Sequence, residues 1–281
     1  MKTSGKIGMA LMASAALLFG SMTTQEAIAK ESAERPFHQA LSGGGLEKIV
    51  VETVNGDITV LGGDRDSVII DAEIIVVGKK QEWCDKLLGE VEIEAKEHGG
   101  ELSISADHPK KHGYSFTISF TLAVPISVGL EASSVNGALN VSDINGGAEV
   151  SAINGQVTLS RVSGPVEVST INGRITLGDV SGDVEASTIN GAVSCENRTA
   201  CPASVDFSSI NGPLELTLPA VPDADVDAET MSGSVSVEGV EGLQLKGNPK
   251  SWSGKLGSGK GHYEFSAVNG SISIEVKREA K

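Results

Sequence analysis

At 281 residues, with a formal net charge of −15 and a sequence pI near 4.7, this chain carries a field that repels nucleic acid and anionic membrane surfaces, which excludes both as partners. Basic ligands and divalent cations stay compatible with that charge. The length allows one elongated domain or two compact ones, and 34 glycines against 4% aromatics direct attention to internal repeats.

Residues 1–29 read as a secretory signal peptide. Lys2 and Lys6 form the basic start, Ile7 to Phe19 the apolar stretch, and Ala27-Ile28-Ala29 the small-x-small cleavage site. The exported chain is then expected to start near Lys30, with the periplasm as its compartment and the cell surface or exterior also open. Neither the leader nor any later segment reaches the ~20 apolar residues of a membrane span, so no transmembrane segment is expected after cleavage.

Residues 30–128 are expected to supply the entry strands and cap of a repeat region. One short unit, Thr53 to Val60, already carries the pattern of the later repeat, and longer strands are predicted over 67–77, 90–95, 101–106 and 115–124. The segment Lys80 to Leu88 is the one helix predicted. Its Cys84 reads as a small buried hydrophobe rather than a reactive thiol, and His98, His108 and His112 fall in apparent loops, as solvent-exposed side chains.

From residue 129 to 281 the chain repeats. The apolar residues preceding each Asn-Gly or Ser-Gly are Val135, Ile144, Ile153, Val162, Ile171, Val180 and Ile189, every step nine residues, within units of the form G-x-Φ-x-Φ-S-x-Φ-N/S where Φ is apolar. The alternation marks a short strand with one buried face, and Asn or Ser before Gly suits a turn. A second period, of eighteen, separates a parallel coil from a meander of hairpins. Alternate units carry Glu131, Glu149, Glu167 and Glu185 where the others carry Asn140, Thr158, Thr176 and Ser194, a distinction that a meander has no reason to make. The predicted fold is therefore all-β: a right-handed parallel β-solenoid with coils of about 18 residues, each made of two nine-residue half-coils. About seven coils at ~4.8 Å give a rod of roughly 35 Å in this part.

The phase survives three insertions, around Cys195 to Pro202, Pro219 to Asp223 and Gly239 to Gly261, all in the opposite half-coil. Export permits a disulfide, and Cys195 with Cys201 is the expected pair. No Cys-x2-Cys or paired-histidine spacing supports a zinc site. The third insertion, with Lys246, Lys250, Trp252, Lys255 and Lys260, is rich in cations and is read as a loop that could take a ligand.

Two ladders arise from the period. The acids Glu131, Glu149, Glu167, Glu185, Asp206, Asp227 and Glu264 fall on one face, as a solvated surface or as a site for a divalent cation or a basic partner. Asn136, Asn154, Asn172, Asn190 and Asn211 form a structural row whose stacked amides can hydrogen-bond along the coil axis. Paired carboxylates such as Asp183 with Glu185, or Asp225 with Asp227, could serve acid and base chemistry on a polysaccharide. They are products of the repeat, however, and no cofactor is expected beyond a possible divalent cation.

The entry V-N-G-D-I-T-V-L-G at Val54 to Gly62, the apolar strand running into Val124-Pro125, and the I-N-G series from Val135 onward resemble the bacterial candidate-adhesin family of domain of unknown function 4097 (DUF4097), related to the head-GIN adhesin domains. The resemblance implies a parallel β-solenoid in an exported or surface-associated protein and carries over no catalytic residue. The expected function is a non-enzymatic binding or scaffold module acting on a protein or glycan of the envelope or exterior. The alternatives are a polysaccharide-acting β-helix enzyme and a structural or regulatory envelope protein without ligand.

Overall fold

The computed structural model describes residues 30–240 and 250–277. The N-terminal part contains β1 (Glu31–Ser42), β2 (Lys48–Asn55), β3 (Ile58–Gly63), β4 (Ser67–Gly78), α1 (Gln81–Gly89), β5 (Glu92–His98), β6 (Glu101–Asp107) and β7 (Ser115–Pro125). The repeats then form β8 (Gly129–Asn136), β9 (Leu139–Ile144), β10 (Ala148–Asn154), β11 (Val157–Val162), β12 (Val166–Asn172), β13 (Ile175–Gly178), β14 (Asp183–Asn190), β15 (Val193–Glu196), β16 (Ser204–Asn211) and β17 (Leu214–Leu218). The chain continues through β18 (Ala224–Ser232), β19 (Val235–Glu238), β20 (Ser251–Leu256), β21 (Gly261–Asn269) and β22 (Ile272–Val276).

These strands make two eleven-stranded sheets whose apolar faces share one core. Sheet A has the order β1-β4-β7-β3-β9-β11-β13-β15-β17-β22-β19, and sheet B the order β20-β18-β21-β16-β14-β12-β10-β8-β2-β6-β5. Each coil runs along sheet B, turns at an Asn-Gly corner, runs along sheet A and returns. Successive coils pair in parallel, as in Glu149 with Glu167 and Glu167 with Glu185, which is the eighteen-residue period realised as register. Inward positions such as Val150, Val168, Leu159 and Leu177 are buried, and each side chain of this kind contributes ~1.5–3 kcal/mol on leaving water.

In the regular coils the Asn-Gly corner needs its glycine for a reason other than positive φ. A Cβ on Gly155, Gly173 or Gly191 would lie 1.8, 1.9 or 1.7 Å from the carbonyl oxygen of the glycine one rung below, so stacking distance excludes any side chain there. Beside each glycine an inward hydroxyl fills the corner: Thr170 donates to Gly155 O and Thr188 to Gly173 O, at 3.2 and 3.3 Å. Left-handed residues appear at the other corner instead, where Asp143, Arg161 and Asp179 have φ of 61, 54 and 52°.

Stacking order departs from chain order at both ends. The last coil, β21–β22, is inserted between β16–β17 and β18–β19, and the first, β2–β3, lies between β6–β7 and β8–β9. Residues 31–42, for which the repeat pattern predicts no strand, form β1 and pair antiparallel with β4, which pairs antiparallel with β7. Helix α1 packs on β1 and β4 with Cys84 and Leu87 buried. The expected loop over 239–261 is corrected in its second half: β20 pairs antiparallel with β18 and closes that end of sheet B, because Trp252 (6% exposed) and Leu256 give the segment an apolar face to bury. His108 is likewise not a free loop side chain, since its ring stacks on Phe116 with centroids 4.3 Å apart.

Candidate interaction face

Strict alternation along the sheet B strands presents three parallel columns to the outside, and the corner residue that follows the last of them adds a fourth. The first is acidic: Glu131, Glu149, Glu167, Glu185, Asp206, Glu264 and Asp227 pair rung to rung in that order, with Glu264 between the two aspartates because of the inserted coil. Lys48 of β2 binds Glu131, and this hydrogen bond raises the ammonium pKa. Burial, then repulsion from Glu264, pushes the Asp206 carboxyl up, with His262 opposing. A groove of about 650 Å³ runs beside the row, with Gly129, Gly147 and Pro165 among its lining, Lys48 and His262 from the outer rungs, and Glu149, Glu167, Glu185 and Asp206 along it.

Two residues further along each strand comes a serine column, Ser133, Ser151, Ser169, Ser187, Ser208 and Ser266, bracketed by Glu52 and Glu229. Two residues beyond that lies an aliphatic column: Val54, Val135, Ile153, Ile171, Ile189, Ile210, Val268 and Met231. All but the half-buried Val135 rank among the exposed large hydrophobics, from 36% at Val268 to 69% at Met231. The nine-residue period alone does not separate these residues from Ile144, Val162 and Val180, which precede the second corner and are buried. The signal that could have separated them is the odd–even distinction already present in the acids.

The fourth column is the asparagine row. Asn136 donates to Asn55, Asn154 to Asn136, Asn172 to Asn154, Asn190 to Asn172, Asn211 to Asn190 and Asn269 to Asn211, Nδ2 to Oδ1, at 2.8 to 3.0 Å. The row is longer than the five residues singled out from sequence, with Asn55 and Asn269 at its ends, and both sit in units that match the repeat (V-N-G).

The other candidates lie apart from this face. The expected Cys195–Cys201 disulfide is not formed. Cys195 points into the core from β15 with Sγ toward Asn197, while Cys201 sits in the next loop with Sγ toward Ala220 O. Burial pushes the Cys195 thiol up to about 12 and raises Cys201 as well. Of the loop cations, Lys246 lies outside the described residues, Lys250 bonds Met231 O, and Lys255 and Lys260 approach Asp225 and Asp223. Trp252 is a core side chain. Asp183 accepts from Ser204, and Asp227 belongs to the acidic column. At the second corner Arg161 holds Asp143 by two bonds of 2.6 and 2.8 Å, which keep that carboxyl below the usual range. Among the described residues no group of three or more His, Cys, Asp or Glu converges as a metal site would require. No described helix is long and apolar enough to cross a membrane.

No curated protein matches the chain. Among solved structures, a candidate cell adhesion protein of Clostridium sporogenes is 12% identical with a TM-score of 0.37, over 87% of this chain and 100% of that one. A candidate adhesin of Parabacteroides distasonis is 13% identical with a TM-score of 0.35, over 86% and 97%. One of Bacteroides fragilis is 12% identical with a TM-score of 0.32, over 86% and 97%. The profile of Toastrack DUF4097 matches residues 71–275, most of the two-sheet coil stack, and the chain accordingly belongs to the Toastrack DUF4097 family.

Proposed function

We propose that this chain is an exported, non-enzymatic binding module of the adhesin type, acting in the periplasm or at the cell surface and holding an elongated partner along the outward face of sheet B. The observation that supports this reading most directly is the uninterrupted register of the acidic, serine and aliphatic columns across successive coils. A surface that repeats itself every rung suits a partner that is itself long, and its charge favours a basic one. The leader-like residues 1–29 support export, and the carboxylate pairs are accounted for by the repeat without catalytic roles.

The test compares the two faces. Wild-type protein, a sheet B variant (Glu149/Glu167/Glu185→Lys) and a sheet A variant (Thr158/Thr176/Ser194→Lys) are immobilised and exposed to bacterial envelope extract. Retention of envelope protein or glycan is expected on the wild type and the sheet A variant, and loss on the sheet B variant. Equal retention by all three would remove the proposed face. Mass spectrometry of the secreted fractions is expected to find an N-terminus at Lys30, and an intact Met1 there would refute export by cleavage.

A further inference from the structure

The aliphatic column is the feature that the fold itself does not use. Its members point away from the core, while the buried positions beside them hold small side chains: Ser134, Ala152, Thr170, Thr188, Ser209, Ala267 and Thr230. Eight rungs at ~4.8 Å make an apolar stripe about 34 Å long. A contiguous exposed patch of this kind marks an interaction site on a soluble chain. The acidic column runs parallel to it, four residues away along each strand, or ~13 Å. Small serines lie between the two, so stripe and acid row flank one strip of the sheet B face.

The geometry points to a basic amphipathic α-helix of a partner protein, laid along the solenoid axis with its apolar face on the stripe and Lys or Arg on the flank that meets the carboxylates; this deepens the proposed binding role of sheet B and rests on it. Three matches support that occupant. A helix with side chains is ~10–12 Å across, close to the ~13 Å between the two columns. Its pitch of ~5.4 Å lies near the ~4.8 Å rung, whereas side chains on one face of an extended peptide recur every ~6.6 Å, so a helix keeps step with the rungs better. The charge is complementary, which it is not for a second copy of a chain of net charge −15, or for an anionic lipid surface.

The probe is a fluorescein-labelled helical peptide of about 22 residues, some 33 Å long, with leucines on one face and lysines on one flank. Its anisotropy is titrated with the protein at two salt concentrations. A scrambled peptide of equal composition and an analogue with glutamate in place of lysine serve as controls. Binding is expected for the first peptide only. Ile153/Ile171/Ile189→Thr, which keeps β-branched residues in the strands, is expected to weaken it at least tenfold. Glu149/Glu167/Glu185→Gln is expected to weaken it severalfold at low salt and to flatten its salt dependence. Circular dichroism checks that both variants are folded. Equal binding of the scrambled peptide, or no effect of the threonine variant, overturns the helix. A dimer of the wild type, or its binding to phosphatidylcholine vesicles, lost in the threonine variant, would assign the stripe to a second copy or to lipid and overturn it equally. If sheet B retains an envelope partner while the designed helix fails to bind, the helix falls and the adhesin-type reading stands.

Discussion

Removing one amide from the interior of the asparagine row tests whether the row holds the coils together. Asn172 donates to Asn154 and accepts from Asn190, both at 2.9 Å, so Asn172→Ala removes two hydrogen bonds, and Asn55→Ala at the end of the row removes one. A net ~1 kcal/mol per bond makes the interior change cost about 2 kcal/mol and the terminal one about 1 kcal/mol. For a domain of this size these correspond to drops in Tm of roughly 4–8 °C and 2–4 °C. Asn172→Asp should be worse than alanine at neutral pH, because the carboxylate cannot donate to Asn154 and repels its oxygen, and it should recover on acidification as the carboxyl regains a proton. Thermal melts by circular dichroism at pH 7 and pH 4 read all three variants, with binding of the helical peptide as a second readout that should not move. Equal costs for Asn172→Ala and Asn55→Ala would refute the chain of bonds as the source of the stability.

Three further outcomes are expected from the geometry. Gly173→Ala places a Cβ 1.9 Å from Gly155 O and should destabilise by about 3 kcal/mol or more in urea unfolding, whereas Gly89→Ala, with open space around the added carbon, should be close to neutral. The Asp143 carboxyl is held low by Arg161, so its contribution to stability is full above the unfolded aspartate value of ~3.9 and is lost as the pH falls through the depressed folded value. Arg161→Ala should therefore lower Tm at pH 7 and leave it nearly unchanged at the acid end, and an equal loss at both would contradict the linkage. Native protein treated with iodoacetamide at pH 8 should be modified at Cys201 before Cys195, whose thiol is buried and titrates at about 12, and reducing agent should leave Tm unchanged.

The coil itself is written in local sequence, since a strand, a corner and an eighteen-residue return place residue i beside residue i+18 whatever the rest of the chain does. That is why the acidic and asparagine columns can be named residue by residue from spacing. Which coil stacks on which cannot be read in the same way. The strands around Ile210, Met231 and Val268 carry one phase, so β18–β19 and β21–β22 offer equivalent edges to β16–β17, and it is the pairing of β16 with β21 and of β21 with β18 that leaves the last coil inside its predecessor. The cap is hidden for a related reason: β1 pairs with β4 across the whole of β2 and β3, placing Glu34 opposite Ile75, a contact without local signature.

The exposed stripe is hidden by the backbone rather than by distance. Ile144 and Ile153 look alike in sequence, each an apolar residue before Asn-Gly. Asp143 adopts left-handed φ just before Ile144, which breaks the alternation and turns that side chain inward (0% exposed), whereas unbroken alternation from Glu149 carries Ile153 outward (41% exposed). The period, the parallel register and the chemistry of each column are thus properties of short stretches of residues, legible wherever the repeat is regular. The order of the end coils emerges only in the folded chain, because it depends on pairing between distant strands that no short window of residues encodes; the side on which each apolar residue falls is set by the dihedral of a corner residue, and the sequence marks it only through the odd–even placement of the acids.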